Sequence, residues 1–289
     1  YWGPYKGFLE NNKLGFVTWP LLPPEANDEH PYFAKEEFSS ELEELVKTQK
    51  KVMVWLNDPA HNPTGLSMSE QGRIACLETF VDSALNNENV GHTLLIDSAY
   101  SLYADEPFAW ADTILNEIEN GMMWPDNLLI CVAVSLSKSH TIYGLRTGAL
   151  VSMHPEKEVT DRLDTVMSVT GRQTWSATPR VAQFCVSEMH SSEEGGKAWS
   201  EERDRLKDLL DNRRNILNSE CEKLGVSINP TMDGFFAWIE SSDPIAVAEK
   251  CAENDVFLVP LNGGVRIGLC ALPTDSIPKV AMALSKAMS

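Results

Sequence analysis

Residues 135–148 read Ser-Leu-Ser-Lys-Ser-His-Thr-Ile-Tyr-Gly-Leu-Arg-Thr-Gly and follow an apolar run, Leu128 to Val134. The run has the length and composition of a buried strand, and the serines and glycines after it mark a turn. Lys138 therefore stands just past a strand's carboxyl end, where open α/β sheets gather their ligands. Arg146 follows eight residues on. A flexible amine forms a Schiff base with an aldehyde, whereas a planar guanidinium grips phosphate through paired hydrogen bonds. The pair suits an aldehyde that also carries a phosphate, and pyridoxal 5'-phosphate has both features.

A lone Ser-x-Ser-Lys string is a weak signal, since most lysines are solvated surface charges. Three further motifs accompany it in order: His-Asn-Pro-Thr-Gly at 61–65, Asp-Ser-Ala-Tyr at 97–100 and Val-Arg-Ile-Gly-Leu at 265–269. Val52 to Leu56 and Thr93 to Ile96 read as buried strands that deliver the first two of these at their ends. Asp97 could cap a following helix, but a carboxylate at so apolar a tip calls for a cationic partner.

With these four ordered motifs the chain resembles the class I aminotransferases of the aspartate aminotransferase type, which are fold type I pyridoxal-phosphate enzymes. The resemblance covers nearly the whole chain. It implies an α/β fold with a mostly parallel-sheet large domain, helices on both faces, and a small C-terminal α/β domain. It also implies that an N-terminal portion of the family's length, with a Gly-rich phosphate loop at a helix N-terminus, precedes the segment that opens this chain.

The resemblance assigns roles residue by residue. Lys138 would be the catalytic lysine, holding the cofactor and moving a proton. Asp97 would face the pyridine nitrogen, Asn62 and Tyr100 the phenolate oxygen, Ser135 and Arg146 the phosphate, and Trp2 the ring face. Arg266 would bind the substrate α-carboxylate. Arg172, supplied by a neighbouring subunit, would pair with the distal carboxylate of a dicarboxylic substrate; a structural arginine at a dimer contact is the other reading. The implied reaction moves an amino group between an L-amino acid, aspartate and aromatic ones included, and a 2-oxo acid, in a cytoplasmic homodimer. A β-lyase or decarboxylase would use the same residues, and a cofactor-binding domain without turnover is the alternative of a different class.

Forty-two acidic side chains against 24 basic ones give a formal net charge of −18. That balance disfavours nucleic acid and anionic membrane as partners. Hydrophobic residues make up 43% and charged ones 23% of the 289, so a sizeable core is expected. The six cysteines (Cys76, Cys131, Cys185, Cys221, Cys251 and Cys270) show no metal-ligand or disulfide spacing and read as reduced thiols. No apolar run approaches the roughly 20 residues of a membrane span.

The apolar pattern also predicts a short strand over 14–19, a Pro-rich acidic loop over 20–31 and helices over 36–48 and 69–87. Beyond the lysine stretch it predicts a strand over 148–153 and a helix over 157–169. A long helix over 197–224, capped by Gly225, would bridge domains at 1–196 and 226–289, its inter-domain stretch covering 197–225. The last domain reads strand, helix, strand, helix.

Overall fold

A computed structural model describes residues 1–23 and 32–288. Most of the expected Pro-rich loop (24–31) lies outside the described residues. The larger sheet holds β1 (Lys51–Asn57), β2 (Gly91–Asp97), β3 (Leu128–Ser135) and β4 (Gly148–Met153) in that spatial order. The first three are parallel and β4 is antiparallel to β3. Parallel strands need helical crossovers, and here these pack together against one face of the sheet.

Alternate residues of the parallel strands (Val52, Val54, Leu56, Leu94, Ile96, Leu128 and Ile130) are buried. They join Phe38 and Leu42 of α2 (Lys35–Thr48), Leu77 and Phe80 of α3 (Glu70–Asn86), and Trp110 of α4 (Ala109–Glu119). Each such aliphatic side chain contributes on the order of 2 kcal/mol by leaving water. Helix α3 starts where Ser69 Oγ accepts the Gly72 amide at 3.1 Å, the expected cap.

A second sheet, wholly antiparallel, orders β5 (Phe236–Glu240), β7 (Gly264–Gly268) and β6 (Val259–Leu261). Its buried residues, among them Ala237, Ile239, Val265 and Ile267, pack with α8 (Glu193–Lys223), α9 (Pro244–Ala252) and α10 (Ile277–Met288). Tyr100 and Tyr103, from the loop after β2, belong to this second core, which joins the two sheets at the carboxyl ends of the parallel strands.

The fold departs from the sequence reading in several places. Residues 14–19 form no strand and pair with none, β1 included; Leu14, Phe16 and Val17 stay exposed. Among the described residues β1 bonds only to β2, and its other edge faces a cavity of about 570 Å³ shared with that segment and lined by Trp19, Phe38 and Leu42. Helices α1 (Pro4–Asn11), α4 and α7 (Arg180–His190) and strand β6 were not expected. Pro4 occupies the first position of α1, where its missing N–H costs nothing. Helix α6 (Lys157–Thr174) runs past the expected end and carries Arg172. A four-residue helix, α5 (Leu136–Ser139), follows β3.

Candidate active site

The register of the parallel strands sets the site. Asn57 stands opposite Asp97, and Asp97 opposite Ala133, so β1 and β2 finish level and β3 runs two residues further, to Ser135. The loop leaving β1 carries Asn62, the turn leaving β2 carries Tyr100, and α5 carries Lys138. One amide ties the first two together. Asn57 Nδ2 donates to the Asp97 carbonyl at 2.9 Å, while its Oδ1 accepts the Asn62 amide at 2.7 Å.

Gly65 locks that loop onto the second sheet's approach. Its φ is +70°, and its carbonyl accepts the Met232 and Asp233 amides at 3.0 and 2.9 Å. An added Cβ would stand 2.3 Å from the Phe236 carbonyl oxygen and 2.4 Å from Thr231 Oγ1, so only glycine fits. His61, in the same loop, bonds Thr64 Oγ1 through Nδ1 at 2.8 Å, and burial pulls its pKa down to about 3. It is a structural histidine.

Around this frame the polar groups converge. Asn62 Oδ1 accepts from Arg266 Nη1 at 3.0 Å, and Asn62 Nδ2 reaches the Tyr100 hydroxyl at 3.4 Å. Arg266 leaves β7 between buried Val265 and Ile267, as strand alternation requires, and its guanidinium lies 4.4 Å over the Phe236 ring. The Lys138 ammonium sits 5.4 Å from the centre of the Tyr100 ring. Burial lowers the Lys138 pKa; Asp97 opposes the shift and Arg146 adds to it. Burial raises the Tyr100 phenol to about 12.

Asp97 does not meet the cationic partner expected of it. Its Oδ2 accepts the Tyr5 hydroxyl at 2.5 Å and its Oδ1 the Ala99 amide at 3.1 Å, both neutral donors. Tyr5, Asn57 and Phe236 are the site neighbours that the sequence did not reveal. For Tyr5 the available signal was its place three residues after Trp2, on one face of a helix.

The remaining expected residues stand further from this group. Trp2 is half-buried and packs edge-on against Tyr5 and Phe8, with ring centres 5.5 and 6.0 Å apart. Ser135 ends β3 and its carbonyl accepts the Ser139 hydroxyl at 3.1 Å. Arg146 is exposed, in a left-handed conformation (φ 48°), and donates to the Tyr143 carbonyl at 2.7 Å; no hydrogen bond joins it to Ser135. Arg172 is exposed near the end of α6, with no bond to the residues above among those described.

The free valences of the central group match pyridoxal 5'-phosphate. Lys138 donates no hydrogen bond among the described residues, although its amine is half-buried. Arg266 Nε is buried without a partner. Asn62 retains an amide hydrogen, and Asp97 keeps lone pairs beyond those its two donors fill. The cofactor's aldehyde, phenolate oxygen and ring N–H would answer Lys138, Asn62 and Asp97, and the carboxylate of an amino-acid substrate would answer Arg266. Among the described residues no group of three or more His, Cys, Asp or Glu could hold a metal ion.

Comparison with known proteins follows the same line. The family described as Aminotransferase class I and II matches residues 1–284. An aromatic-amino-acid aminotransferase of Paracoccus denitrificans is 26% identical over 284 residues, covering 94% of this chain and 66% of its own. The cytoplasmic aspartate aminotransferase of Gallus gallus is 26% identical over 260 residues, 86% of this chain and 57% of its own. A solved aminotransferase structure from Anaerococcus prevotii superposes with a TM-score of 0.90 at 25% identity, covering all of this chain and 67% of that one. The chain thus spans about two thirds or less of these relatives' lengths.

Proposed function

Because the chain belongs to the class I and II aminotransferases, we propose that it binds pyridoxal 5'-phosphate and transfers an amino group between an L-amino acid and a 2-oxo acid. The observation that carries this reading is the Lys138 amine, half-buried at the end of β3, unbonded and beside Tyr100. When bound, the cofactor supplies an aldehyde that condenses with amines and a ring that delocalises the electron pair left on a substrate's α-carbon. Solved relatives support the assignment: a Burkholderia pseudomallei aromatic-amino-acid aminotransferase of the same fold is covalently bound to pyridoxal phosphate.

The chain's own residues then divide the work. Lys138 anchors the group and, with its pKa lowered by burial, has more neutral amine near pH 7 to take a proton from one carbon and return it to another. Asp97 sets a negative charge against the ring nitrogen. Asn62 and Tyr100 donate to the ring oxygen, Ser135 and Arg146 bind the phosphate, and Trp2 covers the ring. Arg266 takes the substrate α-carboxylate through parallel N–H bonds, where its planar fork fits better than a point charge.

Arg172 lies on an exposed helix, which suits a residue that acts in a neighbouring subunit's site and selects dicarboxylic substrates. Exposed Val166, Val169, Trp175 and Phe184 on and after α6 are apolar enough to be covered by a second copy, giving a homodimer. Six free thiols suit a cytoplasmic location, and no described helix is long and apolar enough to cross a membrane. The two hydrophobic clusters and the 31-residue α8 support a large domain, a bridging helix and a small domain.

Adding pyridoxal 5'-phosphate to the purified protein should produce a visible absorption band that borohydride converts to a stable adduct, located on Lys138 by peptide mass spectrometry. A band that survives Lys138→Ala, or an adduct on another lysine, would overturn the assignment. Keto-acid formation with amino transfer to 2-oxoglutarate, and not release of ammonia or carbon dioxide, is the expected chemistry.

A further inference from the structure

One buried phenol outside the roles given above is committed to the acid at the tip of β2. Tyr5 is 6% exposed, and its ring lies 4.1 Å from that of Trp55 on β1. Its hydroxyl donates to Asp97 Oδ2 at 2.5 Å while the Ala99 amide holds Oδ1 at 3.1 Å. The carboxylate is therefore gripped at both oxygens and cannot rotate without breaking one bond. Trp2 stands just before α1, edge-on to Tyr5, and its carbonyl accepts the Tyr5 amide at 3.1 Å.

We propose that Tyr5 is a positioning residue, whose hydroxyl fixes the rotation of the Asp97 carboxylate toward the cofactor's ring nitrogen and whose backbone amide and ring tie Trp2 to the same group. This rests on the pyridoxal-phosphate reading and deepens it. The chemistry of the donor matters. A lysine or arginine on Asp97 would cancel the charge that the ring nitrogen requires, whereas a neutral phenol orients the carboxylate and leaves its charge in place. Burial first, and then the neighbouring Asp97 charge, push the Tyr5 pKa well up, so the phenol remains a neutral donor at any working pH.

The test compares the parent chain with Tyr5→Phe and with 3-fluorotyrosine incorporated at position 5. The probe is pyridoxal 5'-phosphate labelled with ¹⁵N in the ring. Loss of one hydrogen bond to a charged group should weaken cofactor binding by roughly tenfold in Tyr5→Phe, and the ring nitrogen's ¹⁵N resonance should titrate about one pH unit lower. A merely structural tyrosine would move thermal stability but leave that titration where it is. The fluorotyrosine chain keeps shape and donor, so it guards against a Phe variant that does not fold. Its ¹⁹F resonance should shift when cofactor binds, because the phenol bonds the very carboxylate that engages the ring. If the parent binds no cofactor, the functional reading itself falls, and this inference with it. If the parent binds but Tyr5→Phe matches it in affinity and ¹⁵N titration, or the ¹⁹F signal stays unmoved, only the role of Tyr5 is overturned.

Discussion

Gly65→Ala perturbs the point where the Asn62 loop meets the approach to β5, and two costs can be separated there. The backbone conformation, φ +70°, disfavours any side chain by about 1 kcal/mol. The new methyl would also press on the Phe236 carbonyl at 2.3 Å and on Thr231 Oγ1 at 2.4 Å. Neither is the loose end of a flexible side chain: one is backbone, and Thr231 Oγ1 is itself bonded to the Phe236 carbonyl at 2.9 Å. Overpacking of that kind adds about 1 to 3 kcal/mol, for a total of about 2 to 4. Gly225 supplies the control, because its φ is +66° with nothing within 4 Å of the added Cβ. Urea denaturation of the cofactor-free chain, followed by far-ultraviolet circular dichroism, should show Gly225→Ala losing about 1 kcal/mol and Gly65→Ala at least about twice that. Equal losses in the two variants would mean that the loop yields freely, and the argument that Gly65 locks Asn62 in place would be wrong.

Other perturbations have equally definite outcomes. Burial raises the Asp58 pKa from 3.8 to about 6, so the folded chain binds this proton more tightly than the unfolded one. The resulting stability is complete below about pH 4 and lost as pH rises through about 6, on the order of 3 kcal/mol in all. Because His61, with its pKa lowered, pulls the curve the other way below pH 6.5, the measurable quantity is the difference between Asp58→Asn and the parent, which should change by that amount between about pH 4 and pH 7. Arg73, with a side chain 4% exposed, donates to the Met68 carbonyl and to Glu106. Arg73→Met should cost about 2 to 4 kcal/mol in urea melts, whereas Glu106→Gln, on the exposed side of the pair, should cost less than about 1. Arg266→Lys should raise the amino-acid KM by roughly tenfold or more in a transamination assay, since an ammonium replaces a planar fork; an unchanged KM would remove Arg266 from carboxylate binding.

Much of this architecture is legible in the sequence because its parallel strands are short apolar runs with one face fully buried. Val52 to Leu56, Thr93 to Ile96 and Leu128 to Val134 stand out as short apolar runs, and the polar residues that interrupt their ends, Asn62, Asp97 and Lys138, point to the sheet's carboxyl edge. The apolar residues over 14–19 gave a false strand, since periodicity reports the preference of a segment but not whether a neighbour exists to pair with it. Helix α1 was hidden by Gly3-Pro4, a dipeptide that serves turns and helix starts alike. Tyr5 escaped for a different reason: its partner Asp97 is 92 residues away, and no local pattern encodes a contact that only tertiary folding creates. The neutral character of the donors on Asp97 was likewise invisible, because desolvation demands a partner without specifying its charge.

The margin of β1 that turns away from β2 carries a practical consequence. Seven residues of amides and carbonyls, with Lys51 as the sole charge among them and Met53 facing outward, make a template on which another extended backbone can crystallise its own hydrogen bonds. Concentrated preparations should therefore aggregate beyond the proposed dimer through this border, and a second lysine, introduced as Met53→Lys, should suppress that aggregation without disturbing the buried Val52, Val54 and Leu56.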